Sequence, residues 1–439
     1  MKNTYLFRIC GLVIGLSLGS GQLAVGDIQL HNPGRTDELL TLGEVFRQTQ
    51  ENNPELHALH LKYEAARHRI PQVSALPDPK LQLMHFVESV QTRTGPQRNV
   101  FTLSQGIPWF GTLKNREAVA SAEAEALWFG YQAKHLQVMR EVALAFYEYA
   151  YLFRAVELSS ENLELLERLE PIVEERVRSG GDLTALLRLK VETGRIANRR
   201  NSFQEQIVSN QSKLLALMGV SPAATLSYPQ WERPGRVDWD TKDLLESLER
   251  FNPELAALER QEKSALARIE LAKLGSYPDF TLGVNYIDLG ESENPLIRNS
   301  GRDPWGVMVS VNVPIFRDKY RSARSEALAN SRAIESVIED RRNKLVSDLF
   351  SASSRHRDAQ RRLDLYGNEL LPLAEQALEI SRTGYENGRT GILEVIDSER
   401  TLRELQLENW RAAADVWKSR FIIRSMTDVS LVEPFTEKQ

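Results

Sequence analysis

Trp305-Gly306-Val307-Met308-Val309-Ser310-Val311-Asn312-Val313-Pro314 is the stretch on which the fold turns. Its odd positions are tryptophan and valine, and its even positions are glycine, methionine, serine and asparagine. A strand here has one apolar face and one mostly polar face. Pro314 stops it, and the 57 residues that follow, as far as Pro372, contain no proline. Within them Leu345, Leu349, Ala352, His356, Ala359, Leu363, Tyr366 and Leu370 step by four and three in turn, which is a heptad seam. At 1.5 Å per residue that segment reaches about 80–85 Å, far longer than an ordinary globular helix. Trp410, Ala414, Trp417 and Phe421 repeat the spacing on a returning helix.

The same two-faced pattern occurs in Phe280, Leu282, Val284 and Tyr286, and in Phe101, Leu103 and Ile107. Lys80–Val87 is less clean, because Met84 and Phe86 oppose Leu81, Leu83 and Val87. Strands of about 9–11 residues with one apolar face are the signature of a transmembrane β-barrel. The commoner source of the pattern, a half-buried soluble sheet, needs a second layer that this chain does not offer. Four strands cannot enclose an open channel, so closure requires several chains. Phe101, Leu103, Phe280, Leu282, Val284, Val307, Val309 and Val311 are the expected lipid-facing residues. Glu88–Gln97 and Gly290–Pro304 read as long extracellular loops.

Working outward, the chain repeats itself. Asn53-Pro54-Glu55-Leu56 returns as Asn252-Pro253-Glu254-Leu255, and nine of the eighteen positions from Asn53 to Ile70 recur at that offset. Pro77-Asp78, Pro108-x-Phe110, Pro171 and Gly180 match Pro278-Asp279, Pro314-x-Phe316, Pro372 and Gly388. Two copies of this size are a duplicated domain rather than a solenoid. The expected layout is residues 27–218 and 241–429 as the two repeats, a proline-bearing linker at 219–240 and a tail at 430–439. Residues 1–26 read as a secretory signal peptide: Lys2 and Arg8, an apolar run from Ile9 to Leu18, and Ala24-Val25-Gly26 for cleavage. Cys10, the only cysteine, lies too early in that run for a lipid anchor. The exported chain then has neither disulfides nor thiolate metal sites.

Composition agrees with this reading. With 55 Lys and Arg against 60 Asp and Glu, the net charge of −5 gives no electrostatic footprint for nucleic acid. Mean hydropathy is −0.37 and no internal apolar 18-mer occurs, which excludes a polytopic helical membrane protein. No metalloprotease, Walker or dinucleotide motif appears beyond the signal segment, and no nucleophile–base pair supports a periplasmic hydrolase. Catalysis and cofactors are not expected.

In this order the signal peptide, the duplication, the two long hairpins and the four amphipathic strands resemble the TolC-like family of outer-membrane efflux proteins. The most specific pieces are Gln105-Gly106-Ile107-Pro108-Trp109-Phe110-Gly111 and Tyr385-x-x-Gly388 followed by Ile392-Leu393-Glu394-Val395-Ile396-Asp397. Pro108-Trp109-Phe110-Gly111 and Pro77-Asp78-Pro79 resemble the heavy-metal-efflux branch. The resemblance implies a mainly α protein with a transmembrane β part. Three protomers would form an α-barrel of coiled-coil hairpins, continued by a twelve-stranded β-barrel with four strands from each. It also implies a homotrimer in the outer membrane, docked to a periplasmic adaptor (membrane fusion protein) and an inner-membrane pump of the RND type.

By this resemblance the turns Arg178–Thr184 and Asn387–Ile392 are the tips that meet the adaptor, through Gly180, Gly181, Asp182, Leu183, Gly388, Arg389, Thr390 and Ile392. The residues alone suggest capping: glycines in the left-handed conformation, and Asp182 and Thr390 as N-caps of the returning helices. Glu394 and Asp397, spaced i, i+3, share a helix face above the second tip. The resemblance makes them carboxylate rings at the tunnel entrance; the plain alternative is an acidic first turn favoured by the helix dipole. Arg389 does not match the family's basic gate position cleanly. His57, His60 and His68 share a helix face, but no carboxylate or cysteine completes a metal site. His356 reads as a packed seam residue. The alternative to a duct is an exported, soluble coiled-coil scaffold.

Overall fold

The computed structural model describes residues 39–294 and 296–428. The expected signal peptide, with Cys10, and the C-terminal tail lie outside the described residues. The first copy contains α1 (Leu42–Asn52), α2 (Pro54–Ser74), β1 (Lys80–Thr92), β2 (Gly95–Ile107), α3 (Thr112–Arg178) and α4 (Leu183–Met218). The second contains α5 (Thr241–Phe251), α6 (Pro253–Leu274), β3 (Phe280–Leu289), β4 (Trp305–Val311), α7 (Arg317–Leu365), a π-helical turn (Tyr366–Leu370), α8 (Leu371–Glu386) and α9 (Ile392–Thr427).

The repeated Asn-Pro-Glu-Leu breaks one helix into two. Asn53 is the C-cap of α1 and the N-cap of α2, and its Oδ1 accepts from the N–H groups of Glu55 and Leu56, both at 3.0 Å. Pro54 occupies the first helical position, where no N–H is needed. Asn252 does the same between α5 and α6.

The long helices outrun the sequence expectation. α3 has 67 residues, roughly 100 Å at 1.5 Å per residue, with Pro171 inside it. In the second copy helix continues from Arg317 to Glu386, and Pro372 does not stop it. The π-helical turn just before Pro372 shifts the hydrogen-bond ladder by one residue, so the missing proline N–H is accommodated there.

The heptad residues of α7 are buried: Leu345, Leu349, Ala352, His356, Ala359 and Leu363 all lie below 5% exposure. Ala359 and Leu363 pack with Ala412, Ala413 and Val416 of α9. The tryptophan-bearing seam of α9 faces elsewhere, toward the first copy. Trp417 stacks on Tyr147 of α3 (5.3 Å, 3°), and Phe421 meets Phe46 of α1 edge-on at 5.9 Å. α9 is therefore apolar on two faces, and through them the copies share one core.

Residues 219–240 form a strap across the helices. The backbones of Leu40 and Tyr228–Gln230 bond to each other, Trp417 Nε1 donates to Glu232 O (2.9 Å) and His356 Nε2 to Val237 O (3.2 Å).

The four strands make one antiparallel sheet in the order β1-β2-β3-β4, so the β2–β3 pairing joins the copies. Among the described residues β1 and β4 are the open edges of the sheet. The first loop is shorter than expected: β1 and β2 run on to Thr92 and Gly95, and only Arg93 and Thr94 turn between them. β1 pairs with β2 in unbroken register from Lys80 to His85, and a bulge interrupts it between His85 and Val90. Gly95 (φ 138°) lies so close to Gly290 that a Cβ would meet the Gly290 carbonyl at 1.7 Å. Gly290 N–H donates to Pro96 O and Gly301 N–H to Thr94 O, at 2.8 and 2.9 Å. The short hairpin is thus pinned to the long second loop.

Candidate functional site

Register sorts the strand residues into rows. Leu83, Phe101, Tyr286 and Trp305 lie side by side; so do Leu81, Leu103, Val284 and Val307, then Gln105, Leu282 and Val309, then Ile107, Phe280 and Val311. Every expected lipid-facing residue falls in these rows. Val307 and Val309 are 69% and 63% exposed, and only Phe280 is half-buried, because Trp109 stacks on it at 5.8 Å. The rows between are Gln82, Thr102, Asn285 and Gly306, then Lys80, Ser104, Gly283 and Met308, then Gly106, Thr281 and Ser310. Met84 lies on this second face, in an apolar row with Val100 and Ile287, so β1 alternates regularly between the faces as far as His85. On the apolar face, one row beyond Leu83, Phe101 and Tyr286, His85 Nδ1 donates to Asn99 Oδ1 (2.8 Å), and Asn99 Nδ2 to Asp288 Oδ2 (2.7 Å). No helix among the described residues is long and apolar enough to cross a membrane.

At the far end of the helices, the first tip is exposed from Arg178 to Thr184. Gly180 adopts φ 94°. Gly181 is needed for a different reason than expected: its N–H bonds to Arg176 O at 2.8 Å, and a Cβ would sit 2.8 Å from that oxygen. Asp182 caps α4, accepting from Thr184 N–H at 2.8 Å; hydrogen bonds from Thr184 hold its carboxyl below the usual aspartate range.

In the second tip Gly388 is left-handed (φ 68°), but Thr390 is not the N-cap. Gly391 holds that position without a side-chain bond, and the Thr390 hydroxyl donates back to Ser381 O of α8 at 3.2 Å. Arg389 is exposed, whereas Ile392 is 7% exposed and packs with Leu378 and Val395 inside the protomer. Its part in the tip is packing rather than contact.

Glu394 and Asp397 are exposed on the first turns of α9. They line an open groove of about 690 Å³ between α4 and α9, with Arg188 and Arg400 also on its walls. Leu183, Leu187 and Val191 follow one another at four-residue steps along α4 and are each more than half exposed. Of this stripe only Leu183 is expected from the sequence at the tip; the i, i+4, i+8 spacing of the three is the signal that marks the rest. Just above, Glu399 is 2% exposed and receives Arg382 Nη2 (3.1 Å) and Arg403 Nε (2.9 Å). Arg403 also reaches Glu161 of α3 at 3.0 Å, and Arg176 lies over the Tyr385 ring at 4.1 Å, so both hairpins are tied together near the tip.

The histidines are dispersed by their partners. His57 Nε2 donates to Glu51 O (2.9 Å), His60 packs edge-on to Tyr131, and no cluster of three metal-ligating side chains occurs among the described residues. His356 is buried in the seam, and burial pulls its pKa down.

A two-faced sheet set on hairpins of this length is the plan of an outer-membrane channel. The CmeC outer membrane channel of Campylobacter jejuni superposes with a TM-score of 0.74 at 14% identity, over 88% of this chain and 85% of that one. The chain belongs to the outer membrane efflux protein family, whose model matches it twice, at residues 45–220 and 244–425. It is 24% identical over 381 residues to the cobalt-zinc-cadmium resistance protein CzcC of Cupriavidus metallidurans, covering 84% of this chain and 85% of that protein. It is 23% identical over 350 residues to the pyoverdine export outer membrane protein OpmQ of Pseudomonas putida, covering 75% and 71%. The protein is an efflux channel component of the outer membrane that extends into the periplasm, and not an enzyme.

Proposed function

We propose that three copies close the four-stranded sheet into a twelve-stranded barrel, and that the hairpins continue it as a periplasmic tunnel. The carrying observation is the sheet itself, which has an exposed apolar face and two unpaired edges. An apolar face of that extent and open ladder groups are stable only when lipid covers the one and neighbouring strands pair the other. The tunnel is a passive duct. Its energy comes from an inner-membrane pump of the RND type, passed on through a periplasmic adaptor that grips the exposed tips Gly180–Leu183 and Gly388–Thr390. Glu394 and Asp397 form the entrance rings, which admit cations by their charge. One of the two relatives is a cobalt-zinc-cadmium resistance protein and the other a pyoverdine export protein, which supports a duct whose cargo is selected at the pump.

The described residues contain no cysteine, so one placed at Arg389 can carry a photo-crosslinker without competition. Irradiation in cells followed by detergent extraction is expected to capture a periplasmic adaptor on a trimer. A monomer in the periplasmic wash with nothing attached would end this reading.

A further inference from the structure

The junction between strands and helices carries two features that the channel reading does not use. The first is a band of aromatic rings: Trp109 stacks between Tyr277 (5.0 Å, 17°) and Phe280 (5.8 Å, 21°), while Phe110 and Phe316 are 77% and 70% exposed. The second, within the first turns of α3 and α7, is a set of six exposed basic residues: Lys114, Arg116, Arg317, Lys319, Arg321 and Arg324. Arg321 pairs with Asp318, but Lys114, Arg116, Arg317 and Arg324 have no carboxylate within ion-pair distance among the described residues. Their placement opposes the helix dipole, which favours anions in a first turn, so helix stability does not account for it. Nearby, the acidic Asp279 is already engaged by the Trp109 N–H at 2.9 Å.

We infer that this collar holds the phosphate headgroups of anionic phospholipids in the periplasmic leaflet. The inference rests on the proposed barrel, and continuity carries it. The apolar row Ile107, Phe280 and Val311 ends at the aromatic band, Val313 and Ile315 extend the exposed apolar surface, and the basic residues follow at once. Apolar surface, then amphipathic rings, then cationic side chains is the order of acyl chain, interface and headgroup across one leaflet. Long arginine and lysine stems can lie along the apolar surface while their charges reach the phosphates. The collar would fix the depth of the barrel in the membrane.

The test uses the purified full chain in vesicles of phosphatidylcholine alone, or with about one fifth phosphatidylglycerol, and reads retained lipid by native mass spectrometry. The wild type is expected to retain phosphatidylglycerol over phosphatidylcholine at a ratio about fivefold above that of the vesicle, each cation near the surface contributing to the attraction. The preference should vanish in 1 M salt, where screening acts within about 3 Å. The combined variant Lys114→Gln, Arg116→Gln, Arg317→Gln and Arg324→Gln should lose it, while Arg116→Lys, Arg317→Lys and Arg324→Lys together should keep it. A glutamine variant that inserts normally and retains the full preference overturns the collar, as does a wild type with no preference. Failure of the wild type to stay in phosphatidylcholine vesicles after a salt wash would instead count against the barrel.

Discussion

The side-chain amide of Asn53 donates to the backbone carbonyl of Leu217 at 2.7 Å, tying the start of α2 to the end of α4. Asn252 makes the same bond to Met426 at the end of α9, at 3.1 Å. One residue type thus caps its own helix with Oδ1 and anchors a helix terminus 164 or 174 positions away with Nδ2. This is why the motif recurs in both copies as Asn rather than as Asp or Ser, which cap equally well.

Asn53→Ser is expected to keep the cap and lose the anchor, and Asn53→Ala to lose both. Loss of a cap costs about 1 kcal/mol, and stranding a carbonyl in the partly buried site costs about 1 kcal/mol more. Denaturant unfolding should rank wild type above Ser above Ala, with Asn252 behaving alike. Equal stabilities of the wild type and the Ser variant would deny the anchor.

Adjacent residues of β4 should respond oppositely to charge. Val309→Lys places an ammonium on the apolar face, at a cost of about 2–4 kcal/mol near mid-membrane, whereas Ser310→Lys lies on the polar face and should be tolerated. Membrane insertion of the two variants, measured by flotation with vesicles, separates them. Equal insertion would contradict the assignment of faces.

Glu394→Gln with Asp397→Asn removes two carboxylates from each protomer without changing side-chain volume. Single-channel recording should show the permeability ratio of cations to anions falling toward one, with the fold unchanged by circular dichroism. An unaltered ratio would leave the pair as an acidic first turn only.

His135 makes stability depend on pH. It is 2% exposed, Gln50 Nε2 donates to its Nε2 at 3.0 Å, and its Nδ1 has no partner; burial lowers its pKa to about 4. Protonation would turn the accepting Nε2 into a donor facing another donor. The unfolded histidine titrates near 6.5, so between about pH 6.5 and 4 the unfolded chain binds a proton that the folded chain does not. Stability is complete above that window and falls as pH drops through it, by about 3 kcal/mol in all. The difference in unfolding midpoint between wild type and His135→Gln, followed from pH 7 to 4, should therefore shrink or invert on acidification. A constant difference would remove His135 from the response.

Much of the molecule was legible because it is written in near neighbours. The alternation in Trp305–Val313 reports the two environments of one strand, the spacing from Leu345 to Leu363 reports one buried helix face, and Gly180, Asp182 and Gly388 satisfy backbone needs within a few residues. The tips and Glu394 and Asp397 could be placed on elements for the same reason. Where a feature had two local explanations, the sequence could not choose: Thr390 suited an N-cap of α9 but bonds to Ser381 of α8.

By itself, then, the sequence determined the duplication, the amphipathic strands and the long heptad helices, since each depends on periodicities spanning a few turns or residues. Only the tertiary structure decided that β2 pairs with β3 to join the copies and that residues 219–240 strap the helices. It also showed that helix runs through Pro171 and Pro372, and that the Trp417 face of α9 seeks Tyr147 rather than α7. A period records that a face must be buried. It does not record what buries it, because that partner lies far along the chain and is selected by the packing of the whole core.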